Sequence, residues 1–110
     1  MTLRQNLPTT DLATTFAALG DQRRLAIISK LQDADGLSIT ALCEGMGVSR
    51  QAVRKHLGVL ADARLVSVEK LGRERRYCLE PERLEEANSY LSAVGTKWDQ
   101  ALVRLKNHLE

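Results

Sequence analysis

From Pro81 onward, Leu84, Ala87, Leu91, Val94, Trp98, Leu102, Leu105 and Leu109 recur in seven steps over 25 residues, one apolar side chain per helical turn. The run predicts a single helix over residues 81–110, opened by a proline suited to a first turn. The phase holds through Gly95, so a continuous or slightly bent helix is expected there rather than two. At 1.5 Å per residue such a helix is roughly 40 Å long, whereas a compact domain of this size has a radius of gyration of only about 13 Å. One subunit cannot cover that stripe. Leu91, Val94, Trp98, Leu102, Leu105 and Leu109 are therefore candidate contacts of a homodimer, with Leu12 and Phe16 of the first helix beside them across a two-fold axis.

The remaining residues must supply a core that this helix can lean on. At 110 residues, 44% hydrophobic and 27% charged, the chain has the size and composition of a single folded domain. Residues 10–80 are expected to form the core unit and 81–110 the dimerisation helix. A first helix is expected after Thr10 or Asp11, carrying Leu12, Phe16 and Leu19 and stopping at Gly20. Asp21 caps a second, with Leu25, Ile28 and Leu31 as its stripe and Ile27 alongside, ending near Asp33. The polar segment from Asp33 to Gly36 reads as a turn. Ser38 then caps a short third helix whose buried side is Ile39, Leu42, Cys43 and Met46.

Gly47 is placed where the end of that helix needs a left-handed residue, and Ser49 follows as an N-cap, which makes a tight helix-turn-helix. The fourth helix buries Val53, Leu57 and Leu60 and leaves Arg50, Gln51, Arg54 and Lys55 on its outer, N-terminal face. Beyond Ala63-Arg64 the period changes to two, with Val66 and Val68 in one strand and Tyr77 and Leu79 in another. Leu71-Gly72 and the charged residues around it join them into a hairpin with a basic tip. The fold class is mainly α with one small β-hairpin (α+β), and the order of elements is that of a winged helix-turn-helix with a long C-terminal helix.

Charge falls unevenly on this frame. The chain carries a net +2, yet between Arg50 and Arg76 eight basic residues face three acidic ones, a surplus of five. A positive face on a near-neutral protein fits a polyanion partner. The outer face of the fourth helix would enter the major groove of double-stranded DNA, where Arg suits guanine and Gln suits adenine. Ser49 and the free N–H groups of the helix start can hold a phosphate, and His56 is a candidate phosphate contact or a structural residue. Arg73, Arg75 and Arg76 of the hairpin would reach the backbone or minor groove.

Other chemistries find less support. Ser49 and His56 are seven residues apart on one helix, about 10 Å along its axis, too far for a catalytic dyad. No phosphate-binding loop or dinucleotide fingerprint is present, so neither an enzyme nor a cofactor is expected. His56 and His108 lack partners at metal-ligand spacing, and Cys43 and Cys78 read as free packing thiols. No apolar run approaches the length of a membrane span, and a cytoplasmic location is expected. A winged helix that binds only proteins is the alternative, but it would present an apolar recognition face. Single-strand RNA binding is disfavoured because the few aromatics fall on core or interface stripes.

Three segments carry a family likeness: the run from Leu19 to Ile28 (LGDQRRLAII), that from Val53 to Leu60 (VRKHLGVL), and that from Gly72 to Leu79 (GRERRYCL). Over residues 12 to 80 the chain resembles the ArsR family of bacterial repressors. The ending around Trp98 is similar to the branch with a long C-terminal helix and no metal. The resemblance implies a homodimer that binds an inverted-repeat operator and represses transcription; it does not name an inducer. Three positions depart from the family pattern. Ser38 and Thr40 stand where arsenic-type members carry Cys-x-Cys, so a thiolate metal site is not expected. Arg54 replaces a usual serine, which should alter operator preference. Arg64 replaces a usual glycine before the first strand, and a left-handed arginine there would cost roughly 1 to 2 kcal/mol.

Overall fold

A computed structural model describes the backbone of residues 2–109 and the side chains of residues 11–108. Five helices and one hairpin follow in the order α1 (Thr2–Leu19), α2 (Gln22–Gln32), α3 (Ile39–Cys43), α4 (Arg50–Asp62), β1 (Val66–Leu71), β2 (Glu74–Leu79) and α5 (Pro81–Leu109).

The α1 helix begins well before the expected start at Thr10 or Asp11. Residues 2–10 are mostly polar, and Leu3 and Leu7, followed by Pro8, are too few to set an apolar period. Its buried positions are Thr15 and Ala18, while Leu12, Phe16 and Leu19 are half-buried toward its flanks. Phe16 packs against Tyr90 of α5 with ring centroids 6.1 Å apart and planes tilted by 56°. Arg83 adds an ion pair to Asp11 at 2.9 Å, so α1 and α5 are joined at two points.

Asp21 caps α2 as expected. Its extended backbone lets the carboxylate accept from the N–H of Arg23 at 2.8 Å and of Arg24 at 3.1 Å. Ile27, Ile28 and Leu31 are buried, but Leu25, expected on the same stripe, is 48% exposed. The buried arc runs through positions 24, 27, 28 and 31, and one residue's step of 100° carries position 25 out of it. Lys30, in the last turn, donates to the carbonyls of Leu42 and Glu44 and so stitches α2 to the end of α3.

Between α3 and α4 the turn is built differently from the expectation. Ser38 caps α3 by accepting from Ala41 N–H at 3.2 Å, and the helix ends already at Cys43. The chain enters the left-handed region twice, at Gly45 (φ 74°) and Gly47 (φ 67°). Gly45 is the glycine nearest the helix end, not Gly47. A Cβ at either position would meet nothing, so the need is for the backbone angle alone. Ser49 then caps α4 through Ala52 N–H at 3.1 Å, and Val53, Leu57 and Leu60 are buried as the spacing predicted.

The two strands pair antiparallel with Val66 opposite Leu79 and Leu71 opposite Glu74, which leaves Gly72-Arg73 as the turn. Leu71, expected in the connection, is the last residue of β1. Only Val66 and Tyr77 of the hairpin are buried; Val68 is 46% exposed, because the outer part of the hairpin stands clear of the core. A third chain segment joins this sheet. Leu37 and Tyr77 exchange both backbone hydrogen bonds, at 2.9 and 2.8 Å, in the stretch after the expected turn. Gly36 (φ 142°) lets that segment approach, since a Cβ there would stand 3.1 Å from Cys78 Sγ.

Ile27, Ile28, Leu31, Leu42, Val53, Leu57, Leu60, Leu65, Val66 and Tyr77 form the core, with Leu84 of α5 packed against it. The α5 helix is continuous through Gly95. Ala87 is buried in its early turns, but Leu91, Trp98, Leu102 and Leu105 are all more than half exposed. The chain measures 64 × 37 × 22 Å, with a radius of gyration of 18.1 Å against the ~13 Å of a compact domain of this size.

Candidate nucleic-acid interface

Each side chain singled out on α4 owes its position to the cap and the core contacts beneath it. Ser49 starts the helix, and Val53, Leu57 and Leu60 seat it, so Arg50, Gln51, Arg54 and Lys55 all stand exposed on the outer side. The Ser49 hydroxyl oxygen accepts from Ala52 N–H, which leaves its O–H to donate. Arg50 turns back to α3, where its guanidinium donates to Thr40 Oγ1 at 2.9 Å.

A cleft of about 800 Å³ lies between this face and the hairpin, lined by Ser38, Ile39, Thr40, Arg54, Arg73, Glu74, Arg75 and Tyr77. Among the described residues no ion pair engages Arg54, Arg73 or Arg75. Three guanidiniums thus converge on one concave surface with a single carboxylate among them, a field that favours an anion.

The hairpin arginines, expected to act together, fall on two faces. Arg75 lines the cleft with Arg73, whereas Arg76, the next residue on a strand, lies against the Gly36 segment on the other face. In register, Arg76 is opposite Glu69 and Arg75 opposite Lys70. Ser38 and Thr40, by contrast, were not expected at the site, because only the fold brings the start of α3 beside the hairpin.

His56 is not brought to the exposed face. Its ring is half-buried toward α2, with Nδ1 3.3 Å from Arg24 Nη1 and 4.0 Å from Asp21 Oδ1. The backbone N–H of Arg24, ahead of that of Arg23 and the nearby guanidinium of Arg24, holds the Asp21 carboxyl below its ordinary 3.8 against the opposing effect of burial.

Both cysteines are free. Burial, with Glu69 and Glu80 adding to it, pushes the Cys78 thiol up, which keeps it protonated, and its Sγ contacts Asp35 O at 3.7 Å. Among the described residues no group of three His, Cys, Asp or Glu could hold a metal ion, and no helix is long and apolar enough to cross a membrane.

The expected dimer contacts form a ridge along α5. Trp98 is 66% and Leu102 59% exposed, and Val94 and Ala101 are half-covered beside them. Leu12 and Phe16 lie on the adjoining α1. The side chain of Leu109 falls outside the described residues.

Helices α2, α3 and α4, the Leu37 segment paired to the hairpin and the basic wing make up a winged helix-turn-helix. A helix-turn-helix domain family model matches residues 19–69. The HTH-type transcriptional regulator Rv2034 of Mycobacterium tuberculosis is 38% identical over 82 residues, 74% of this chain and 76% of that one. An uncharacterized HTH-type regulator of Bacillus subtilis, YuzN, is 36% identical over 66 residues, 54% of this chain and 72% of that one. Among solved structures, an ArsR-like transcriptional regulator from Rhodococcus sp. RHA1 superposes with a TM-score of 0.78 at 37% identity, covering 93% of this chain and 95% of that one. The chain belongs to the ArsR family of winged helix-turn-helix regulators.

Proposed function

We propose that this regulator works as a homodimer that binds an inverted-repeat operator in double-stranded DNA and represses the adjoining gene. The observation that carries this reading is the unneutralised basic surface formed by the outer face of α4 and the wing. Gln51 and Arg54 read base edges in the major groove, with Arg50 and Lys55 at their flanks. Arg73 and Arg75 engage the phosphate backbone, and Ser49 and the start of α4 orient the helix on it. The protein-binding alternative needs an apolar face on α4, and that face is basic and polar.

The second half of the proposal concerns assembly. Residues 10–80 serve as the DNA-binding part and 81–110 as the dimerisation helix of one domain. Pairing the Leu91, Val94, Trp98, Leu102 and Leu105 ridge of two copies, with Leu12 and Phe16 beside it, removes its exposed apolar surface from water at about 25 cal/mol per Å². The two-fold axis then sets the recognition helices about 34–36 Å apart, one turn of DNA, or a multiple of that. Repression follows from the operator being covered, in the cytoplasm, with no cofactor and no thiolate metal site.

Sedimentation of the wild type and of Leu102→Asp tests the assembly. The wild type is expected to sediment as a dimer at micromolar concentration, and the variant as a monomer that loses the full operator, because a carboxylate cannot be buried unpaired in the ridge. A monomeric wild type that binds an inverted repeat tightly would refute it.

A further inference from the structure

All three guanidinium nitrogens of Arg24 make a contact at one corner of the molecule. Its Nε donates to Ala18 O at 2.6 Å and its Nη2 to Ala17 O at 3.4 Å, two carbonyls in the last turn of α1, where intrahelical donors run out. The remaining nitrogen, Nη1, points at His56 Nδ1. Arginine has no acceptor, so a hydrogen bond between the two requires Nδ1 to receive it and the ring proton to sit on Nε2. The Asp21 carboxylate faces the same ring from the cap of α2. One side chain thus ties the end of α1 and the start of α2 to the middle of α4.

We propose that Arg24 and His56 form a positioning clasp that holds α4 at a fixed angle to the α1–α2 corner, so that His56 serves DNA reading without touching DNA. The apolar seat of α4, formed by Val53, Leu57 and Leu60, resists separation but is non-directional. A hydrogen bond has a preferred line and adds the missing direction. The corner is coupled onward through Phe16–Tyr90 and Asp11–Arg83 to α5. The angle of α4 to α1 therefore becomes the angle of the reading helix to the dimer axis. The clasp rests on the two-fold operator reading, and what it sets is how strictly the spacing between half-sites is measured.

Spacing supplies the test, because a general loss of stability does not change it. The operator recovered from random duplexes by the full-length wild type is remade with one or two base pairs added or removed between its halves. Each base pair turns one half by about 34° relative to the other. Wild-type affinity is expected to fall about tenfold for the first base pair added or removed. For His56→Leu, which keeps bulk but offers no acceptor, the profile is expected to flatten to about threefold, with weaker binding to the parent. His56→Asn, whose side-chain oxygen stands near the place of Nδ1, restores the wild-type profile. Arg24→Lys, which cannot make the fork, flattens it and serves if His56→Leu does not fold.

A uniform drop with an unchanged profile in both His56→Leu and Arg24→Lys overturns the clasp. A readout without DNA runs beside it. In ring-nitrogen NMR of the free protein, His56 is expected to carry its proton on Nε2, with an Nδ1 signal that shifts in Arg24→Lys. A proton on Nδ1, or a signal indifferent to Arg24→Lys, overturns the proposal even if the wild type recovers no inverted repeat, a result that would by itself sink only the operator reading.

Discussion

Arg50, in the first turn of α4, is tied to Thr40 of α3 by a hydrogen bond of 2.9 Å across the helix-turn-helix. Thr40 occupies one of the two positions where arsenic-type relatives carry thiols, and here its hydroxyl orients a guanidinium. Removing the acceptor and removing the charge should therefore differ. Thr40→Val is expected to weaken operator binding by about threefold or less, and Arg50→Ala by about tenfold or more, in the range of a lost base or phosphate contact. Fluorescence anisotropy on the selected operator measures both, and equal losses would show that Thr40 matters in its own right.

The division of the hairpin arginines between two faces makes a sharper test of the wing. Arg73 and Arg75 line the cleft with Arg54, and Arg76 lies on the far side. Replacing Arg73 or Arg75 by Ala should lower the slope of log affinity against log salt by about one each, with equal loss on specific and random duplexes. Arg76→Ala should leave the slope at its wild-type value. A slope change confined to Arg76→Ala would place the wing the other way round.

Arg64 holds a φ of 62°, a left-handed angle at which an arginine is strained and a glycine is not. Its side chain is exposed and contributes no core packing. Arg64→Gly should raise unfolding stability by about 1 kcal/mol, the relieved strain less the extra freedom that glycine gives the unfolded chain. Urea unfolding decides it, and a destabilised variant would mean that the side chain makes a compensating contact.

At Asp21 the carboxyl is held below its ordinary 3.8, first by the N–H of Arg24. A group whose folded value lies below its unfolded one adds stability that is fully present above the unfolded value and is lost as pH falls through the folded one. The loss should therefore start near the ordinary value and complete below it. Asp21→Asn keeps an acceptor for the cap but has nothing to protonate, so its melting temperature should fall less steeply on the acid side. Parallel acid limbs for wild type and variant would assign the acid loss to other carboxylates.

What could be read from the sequence was what repeats or caps. Asp21, Ser38 and Ser49 start their helices as expected, Val53, Leu57 and Leu60 seat α4, and the apolar phase of α5 survives Gly95. Elements without a period escaped: the polar start of α1, and the single exchange of hydrogen bonds between Leu37 and Tyr77, which exists only once the chain has folded back. Two further features do carry a signal in the sequence. His56 stands three residues after Val53 and four before Leu60, a spacing that places it beside the buried stripe. Arg75 and Arg76 are neighbours on a strand, and period two sends them to opposite faces. The cleft that joins Ser38 and Thr40 to the wing had no signal in one dimension.

The most direct measurement of the central claim is selection of bound sites from a library of random duplexes by the full-length protein, followed by sequencing. Two recognition helices related by a two-fold axis should enrich an inverted repeat whose half-site centres lie about 10 to 10.5 base pairs apart, or a multiple of that. Gln51→Ala or Arg54→Ala should relax one or two positions within each half, at a cost of about 1 to 3 kcal/mol. An unenriched library, or a single site without symmetry that is selected unchanged by both variants, would contradict the account.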